Sequence, residues 1–261
     1  MRYNICWNIT SKCNNNCKFC NRIEYYNEIT LDECFLIVDK LKELGIKKIT
    51  LTGGEIFLYK NLQSLIDYIY KKDIIVSILT NGSLITRQFL IENNKKIFQI
   101  GLPIDTTNLG IQKSMGRNDN HFKNTLNILN LIKNEKLEYN IKINTVVTMY
   151  NYDDMKNINN IICKYRINKW NLFLYNSIRN VAKKNSDLFS IDKEKFEELR
   201  TTIIAPNTYV HFSDQPSYEN EHIIISPRGD VIITRDSKDI IIGKAYNNTT
   251  YKELKKYGVF I

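Results

Sequence analysis

Residues 11–20 read Ser11-Lys12-Cys13-Asn14-Asn15-Asn16-Cys17-Lys18-Phe19-Cys20, three cysteines in a C-x3-C-x2-C spacing. The other cysteines of this 261-residue chain are Cys6, Cys34 and Cys163. The first ten residues carry no basic-then-apolar pattern, so a cytoplasmic, reducing setting is expected, where clustered thiols point to a metal site rather than to disulfides. Structural zinc asks for four ligands in a closed tetrahedron. His121, His211 and His222 are remote in sequence, and Cys6 and Cys34 lack paired spacing. Three thiolates on a short loop suit instead three irons of a [4Fe–4S] cube, with the fourth iron open to a small molecule. A non-catalytic metal-binding module is the reading that dispenses with an enzyme.

Outward from this loop the chain alternates strand and helix. Tyr3–Ile9 is predicted as the strand that delivers the loop. Leu31, Phe35, Leu36, Val38, Leu41 and Leu44 make a helical stripe behind an N-cap at Thr30, with Cys34 a buried small hydrophobe rather than a ligand. Four more units follow: Lys48–Leu51 with a helix near Leu62–Lys71, Ile74–Thr80 with Thr86–Asn94, Lys96–Ile104 with His121–Glu135, and Ile141–Val147 with Asp153–Tyr165. Trp170–Tyr175 is the sixth strand. The expected fold is α/β: a partial (β/α)6 TIM-type barrel over residues 1–176, with function gathered at the C-terminal strand ends.

Residues 177–261 form the expected C-terminal extension. It holds a helix at Asp192–Thr202, a β-hairpin (Ile223–Ile225 and Val231–Ile233, turning at Gly229), a β-rich run Ile240–Gly243 and a short helix at Thr250–Lys256. No cysteine follows Cys163, so an auxiliary cluster is not expected there.

With 43% apolar and 25% charged residues the composition is that of a folded globular chain. The longest apolar runs, such as Ile74–Leu79, fall far short of the roughly 18 residues a spanning helix needs, so no membrane partner is expected. Lys and Arg outnumber Asp and Glu 37 to 28, a net +9. They are scattered singly or in pairs, which reads first as a solvated surface and otherwise as room for an anionic partner, a nucleotide, a phosphate ester or an acidic peptide; no specific nucleic-acid binding is expected.

The cysteine spacing resembles the signature of the radical S-adenosylmethionine (radical SAM) superfamily, and the resemblance continues through Thr52-Gly53-Gly54-Glu55, Asn81-Gly82-Ser83 and Ile143–Thr148. It implies that Cys13, Cys17 and Cys20 hold one [4Fe–4S] cluster, reduced by a donor such as flavodoxin or ferredoxin. It implies reductive cleavage of SAM to a 5′-deoxyadenosyl radical that abstracts a substrate hydrogen atom. By the same resemblance Gly53, Gly54 and Glu55 meet the methionyl amino group, Phe19 lies near the adenine, and Arg117 pairs with the SAM carboxylate. Asn81 belongs to the familiar strand-end junction, and Asp105 and Asn144 reach SAM's ribose or the substrate.

Within the superfamily the chain resembles viperin-like enzymes, which dehydrate nucleoside triphosphates. The match rests on Lys48-x-Thr50-x-Thr52, Met115-Gly116-Arg117, Lys142-x-Asn144 and Trp170-x-x-Phe173. It implies Lys48, Thr50 and Lys142 as nucleotide contacts. Two departures stand out: Asn171 where that family has a further phosphate-binding lysine beside the tryptophan, and Ile56 in place of proline after Gly-Gly-Glu. The alternative substrate is a ribosomally made peptide. Against it, the cysteine loop begins so near residue 1 that no fused leader-binding domain is expected before it.

Overall fold

A computed structural model describes residues 4–25, 27–214 and 222–259. Strands β1 (Asn4–Thr10), β2 (Lys48–Gly53), β3 (Ile75–Leu79), β4 (Ile97–Pro103), β5 (Asn140–Val147) and β6 (Lys169–Leu174) lie side by side in sequence order, each pair parallel. Helices α1 (Leu31–Glu43), α2 (Leu62–Lys71), α3 (Arg87–Asn93), α4 (Leu109–Ser114), α5 (His121–Asn134) and α6 (Met155–Lys164) occupy the connections. This is the partial parallel barrel that the alternation predicts. Tyr3, the expected start of the first strand, lies outside the described residues.

The sheet extends beyond those six strands. β7 (Tyr209–Ser213) pairs parallel to β6, and β8 (His222–Ile225) pairs parallel to β1 on the opposite edge. β9 (Asp230–Arg235) and β10 (Lys238–Lys244) continue antiparallel, giving the order β10-β9-β8-β1-β2-β3-β4-β5-β6-β7. The hairpin expected after Asn176 is therefore part of the barrel sheet, and its Gly229 has the positive φ of 74° that the turn requires.

Local chemistry accounts for the elements. Thr30 caps α1 in a reciprocal box: its hydroxyl accepts from the Glu33 amide at 3.2 Å, and the Glu33 carboxylate accepts from the Thr30 amide at 2.8 Å. The buried face of α1 is Cys34, Ile37, Val38 and Leu41. The expected stripe is thus rotated: Leu36 is exposed, and Phe35 stacks on Tyr68 of α2 at 4.0 Å. On β5 burial alternates strictly. Ile141, Ile143, Thr145 and Val147 are buried in the core, while Lys142 and Asn144 line the barrel interior. Trp170 of β6 is fully buried, its indole N–H donating to Thr145 Oγ1 at 2.9 Å.

Candidate active site

The cysteine loop leaves the C-terminal end of β1 and is clamped from two sides by glycines. Gly53, at φ 143°, and Gly54 end β2 against the loop's first residues, and the Gly54 and Glu55 amides donate to the Thr10 and Lys12 carbonyls at 2.8 and 2.7 Å. A Cβ on Gly54 would stand 2.1 Å from the Lys12 carbonyl oxygen, so only glycine allows this approach. On the other side Gly116, at φ 79°, leaves no room for a Cβ, which would meet the Asn16 carbonyl oxygen at 2.2 Å. There the Lys18 amide donates to the Met115 carbonyl at 3.0 Å, and the Asn118 amide to Asn15 Oδ1 at 3.0 Å.

Cys13, Cys17 and Cys20 are all free thiols. Burial pushes the Cys17 thiol up to about 11, against the opposing pull of Arg117, with the neighbouring Cys20 and Cys13 adding to the rise. Cys20 is likewise raised by burial. Among the described residues, no group of three or more His, Cys, Asp and Glu side chains is gathered closely enough to hold a single metal ion.

Several residues linked to SAM by resemblance serve as braces for this loop. Glu55 is fully buried; its carboxylate accepts from Thr80 Oγ1 at 2.7 Å and from the Asn81 and Phe57 amides at 2.8 and 3.2 Å. Burial raises its pKa, opposed by these three bonds. Asn81 donates to Asn14 of the loop at 2.8 Å. Asp105 and Arg117 form a buried pair at 2.5 Å, with the Arg117 guanidinium 5.1 Å from the centre of the Phe19 ring. Burial works against the Arg117 charge, but Cys17 and Asp105 outweigh it and hold the group protonated. Phe19 sits in a small apolar cluster with Cys17, Met115, Tyr175, Ala182 and Phe189. His121, beside this pair, is kept neutral by burial and by the Arg117 charge.

Below the loop lies a barrel-interior cavity of about 510 Å³. Its walls follow the two-residue period of the strands: Cys6 and Asn8 from β1, Lys48, Thr50 and Thr52 from β2, Gln99 from β4, Lys142 and Asn144 from β5, and Lys169, Asn171 and Phe173 from β6. Asn171 donates to Asn144 at 2.8 Å. Lys48 and Lys169 open their strands and Lys142 pairs with Lys169 in register, so the lysines form the floor, opposite the cysteine loop. Arg22, Arg179, His211 and His222 line the same cavity, and no described lining residue is a carboxylate. Burial lowers the Lys142 pKa to about 8; Cys6 opposes the shift, while Lys48 and Lys169 add to it. Lys48 is lowered for the same reasons, burial first and then Lys169.

A family model described as the radical SAM superfamily matches residues 7–161, more than half of the chain. The chain belongs to the radical SAM superfamily. The sequence of this radical SAM enzyme is 27% identical over 227 residues to an S-adenosylmethionine-dependent nucleotide dehydratase from Flammeovirga pacifica, covering 83% of this chain and 77% of that protein. A protein of the same description from Selenomonas ruminantium is 28% identical over 192 residues, 69% of this chain and 70% of that one. Among solved structures, Streptococcus suis SuiB bound to S-adenosylmethionine superposes with a TM-score of 0.73 at 16% identity. That match covers 95% of this chain and 65% of SuiB, and it shows the shared fold.

The structure brings Lys48, Thr50, Lys142 and Asn144 into one cavity, and places Gly53, Gly54, Glu55, Asn81, Asp105 and Arg117 around the loop above it. Sequence reasoning missed Lys169. It lies on the other side of Trp170 from Asn171, and counting in twos from Asn171 along β6 finds it facing inward. His211 and His222 were equally hidden, because their strands join the barrel only through long-range pairing.

Proposed function

We propose that this radical SAM enzyme abstracts a hydrogen atom from a nucleoside triphosphate in the course of a dehydration. The observation that carries the reading is the cationic cavity floor, Lys48, Lys142 and Lys169, in a cavity where no described lining residue is a carboxylate. Burial makes the Lys48 and Lys142 charges costly to hold, and a polyphosphate would offset that cost. The relatives described as nucleotide dehydratases support the same substrate class.

Cys13, Cys17 and Cys20 would hold the [4Fe–4S] cluster. Their donor set fits a multi-iron group: three thiols on one loop, in electrostatic reach of one another yet not drawn around a single point. Bound there, the cluster supplies the electron that cleaves SAM into methionine and a 5′-deoxyadenosyl radical. The protein's own part is to hold and shield. Gly53, Gly54, Glu55 and Asn81 fix the loop and offer the SAM methionyl group its polar edge; the Asp105–Arg117 pair and Phe19 close the opposite side. Asn144, at mid-wall, reaches the ribose. Thr50 and the floor lysines take the phosphates, so the nucleoside is pointed toward the loop.

The test is 5′-deoxyadenosine formation by anaerobically reconstituted protein with SAM and dithionite, with and without each nucleoside triphosphate. Strong stimulation by one nucleotide is expected, together with loss of all cleavage in Cys17→Ala. Cleavage that no nucleotide stimulates sinks the nucleotide reading and turns the search to peptides, the kind of molecule SuiB has been crystallised with.

A further inference from the structure

Outside the cysteine loop, on the same face, three large apolar side chains stand in solvent: Met149 is 63% exposed, Leu188 49% and Tyr150 39%. Met149 and Tyr150 adjoin Leu188 through Phe189, its neighbour in the chain. The Met149 amide donates to the Phe189 carbonyl at 3.3 Å, and the Tyr150 ring lies 5.0 Å from the Phe189 ring. Phe189 is fully buried and continues inward to Phe19 at 6.0 Å, in the same apolar cluster as Cys17. Apolar area left open directly above a reactive site marks a contact surface more than a random surface residue does.

The rim of the patch is basic. Lys18, between Cys17 and Phe19, and Lys184, one turn before Leu188, are exposed, and neither has an ion-pair partner among the described residues. The Asn185 side chain donates to the Lys18 carbonyl at 3.0 Å, which brings the two lysines to one edge. Asp187 is the acid on that turn. Nearby Lys12 and Lys113 are already paired, with Glu28 and Asp119.

We propose that Met149, Tyr150 and Leu188, rimmed by Lys18 and Lys184, form the docking surface for an acidic one-electron carrier protein of the flavodoxin type. This rests on the reading above in one respect: reductive SAM cleavage needs an external electron. In the step the carrier is oxidised by one electron and the group held by the cysteine loop is reduced by one, with no bond made or broken. Two ring contacts, Tyr150 to Phe189 and Phe189 to Phe19, span the interval between surface and loop. An acidic partner matches the lysines, and an apolar centre within a polar rim is the usual anatomy of a protein contact.

The experiment uses the full-length reconstituted protein and a flavodoxin of strongly negative net charge. Binding is measured by calorimetry at two salt concentrations, and SAM cleavage is driven either by that flavodoxin or by dithionite. Lys184→Glu with Leu188→Glu is expected to weaken binding and flavodoxin-driven cleavage by about tenfold or more, with dithionite-driven cleavage unchanged. Equal binding by wild type and variant, or no flavodoxin binding at all, overturns the proposal. If the double variant does not fold, carbodiimide cross-linking of wild type decides: links from flavodoxin carboxylates to Lys18 or Lys184 support it, and links only elsewhere overturn it. Failure of dithionite-driven cleavage in wild type would instead strike the radical SAM reading, so the two failures are distinguishable.

Discussion

Lys142 shows how one side chain couples the cavity to pH. Its pKa falls to about 8, through burial first and then through Lys48 and Lys169. The folded value lies below the unfolded one, so the Lys142 charge opposes folding below pH 8. That opposition fades as pH rises from there toward the ordinary lysine range. Ligand binding has the opposite sense. A polyphosphate favours the charged lysine, so above pH 8 binding must take up a proton that the free protein has lost. Nucleoside triphosphate affinity is expected to fall by up to about tenfold per pH unit as pH climbs past 8, and the steep part should vanish in Lys142→Gln. Calorimetry between pH 7 and 9 checks this; an unchanged slope in Lys142→Gln would remove Lys142 from the site.

Strand ends and turns carry the next level of organisation, because the cysteine loop has no regular structure of its own and is held by its neighbours. Gly116→Ala places a Cβ 2.2 Å from the Asn16 carbonyl oxygen at a φ of 79°. The substitution should cost about 1–3 kcal/mol and misplace the loop. Thermal unfolding together with iron content after reconstitution reads both effects; full iron loading would show the clamp to be dispensable. Much of this was legible beforehand. Period-two strands, the Thr30 cap and the cysteine spacing are local signals, and they gave the barrel, its order and the loop's place on it. The α1 stripe came out rotated because Phe35 and Leu36 are as apolar as the residues that are buried, and periodicity alone does not choose between adjacent phases. β7 was missed because Tyr209–Ser213 alternates over only five residues and is fixed by pairing with β6. The bracing roles of Glu55 and Asn81 depend on contacts across 67 residues in one case and 26 in the other, which no local pattern encodes.

At the scale of the molecule, the described sheet runs ten strands from β7 to β10, and the cavity joins elements far apart in sequence: β1, β2, β4, β5 and β6 all contribute lining residues, as do β7 and β8 at the two edges of the parallel part. No described helix is long and apolar enough to cross a membrane. A ligand seated on lysines from β2, β5 and β6 therefore ties together strands whose own contacts are only nearest-neighbour. Binding to the folded state alone stabilises it by about 2.7 kcal/mol at a hundredfold excess over Kd. In a chain of this size each kcal/mol is worth about 2–4 °C, so a nucleoside triphosphate that binds as proposed should raise the midpoint of thermal unfolding by about 5–10 °C. Inorganic tripolyphosphate should give part of the same shift, since the proposed contact of the cationic floor is with phosphate rather than base. Lys169→Ala is expected to erase most of the nucleotide shift, because it removes one of the three floor cations. A full nucleotide shift in Lys169→Ala would mean that the polyphosphate does not reach the floor, and the cationic cavity would need another ligand.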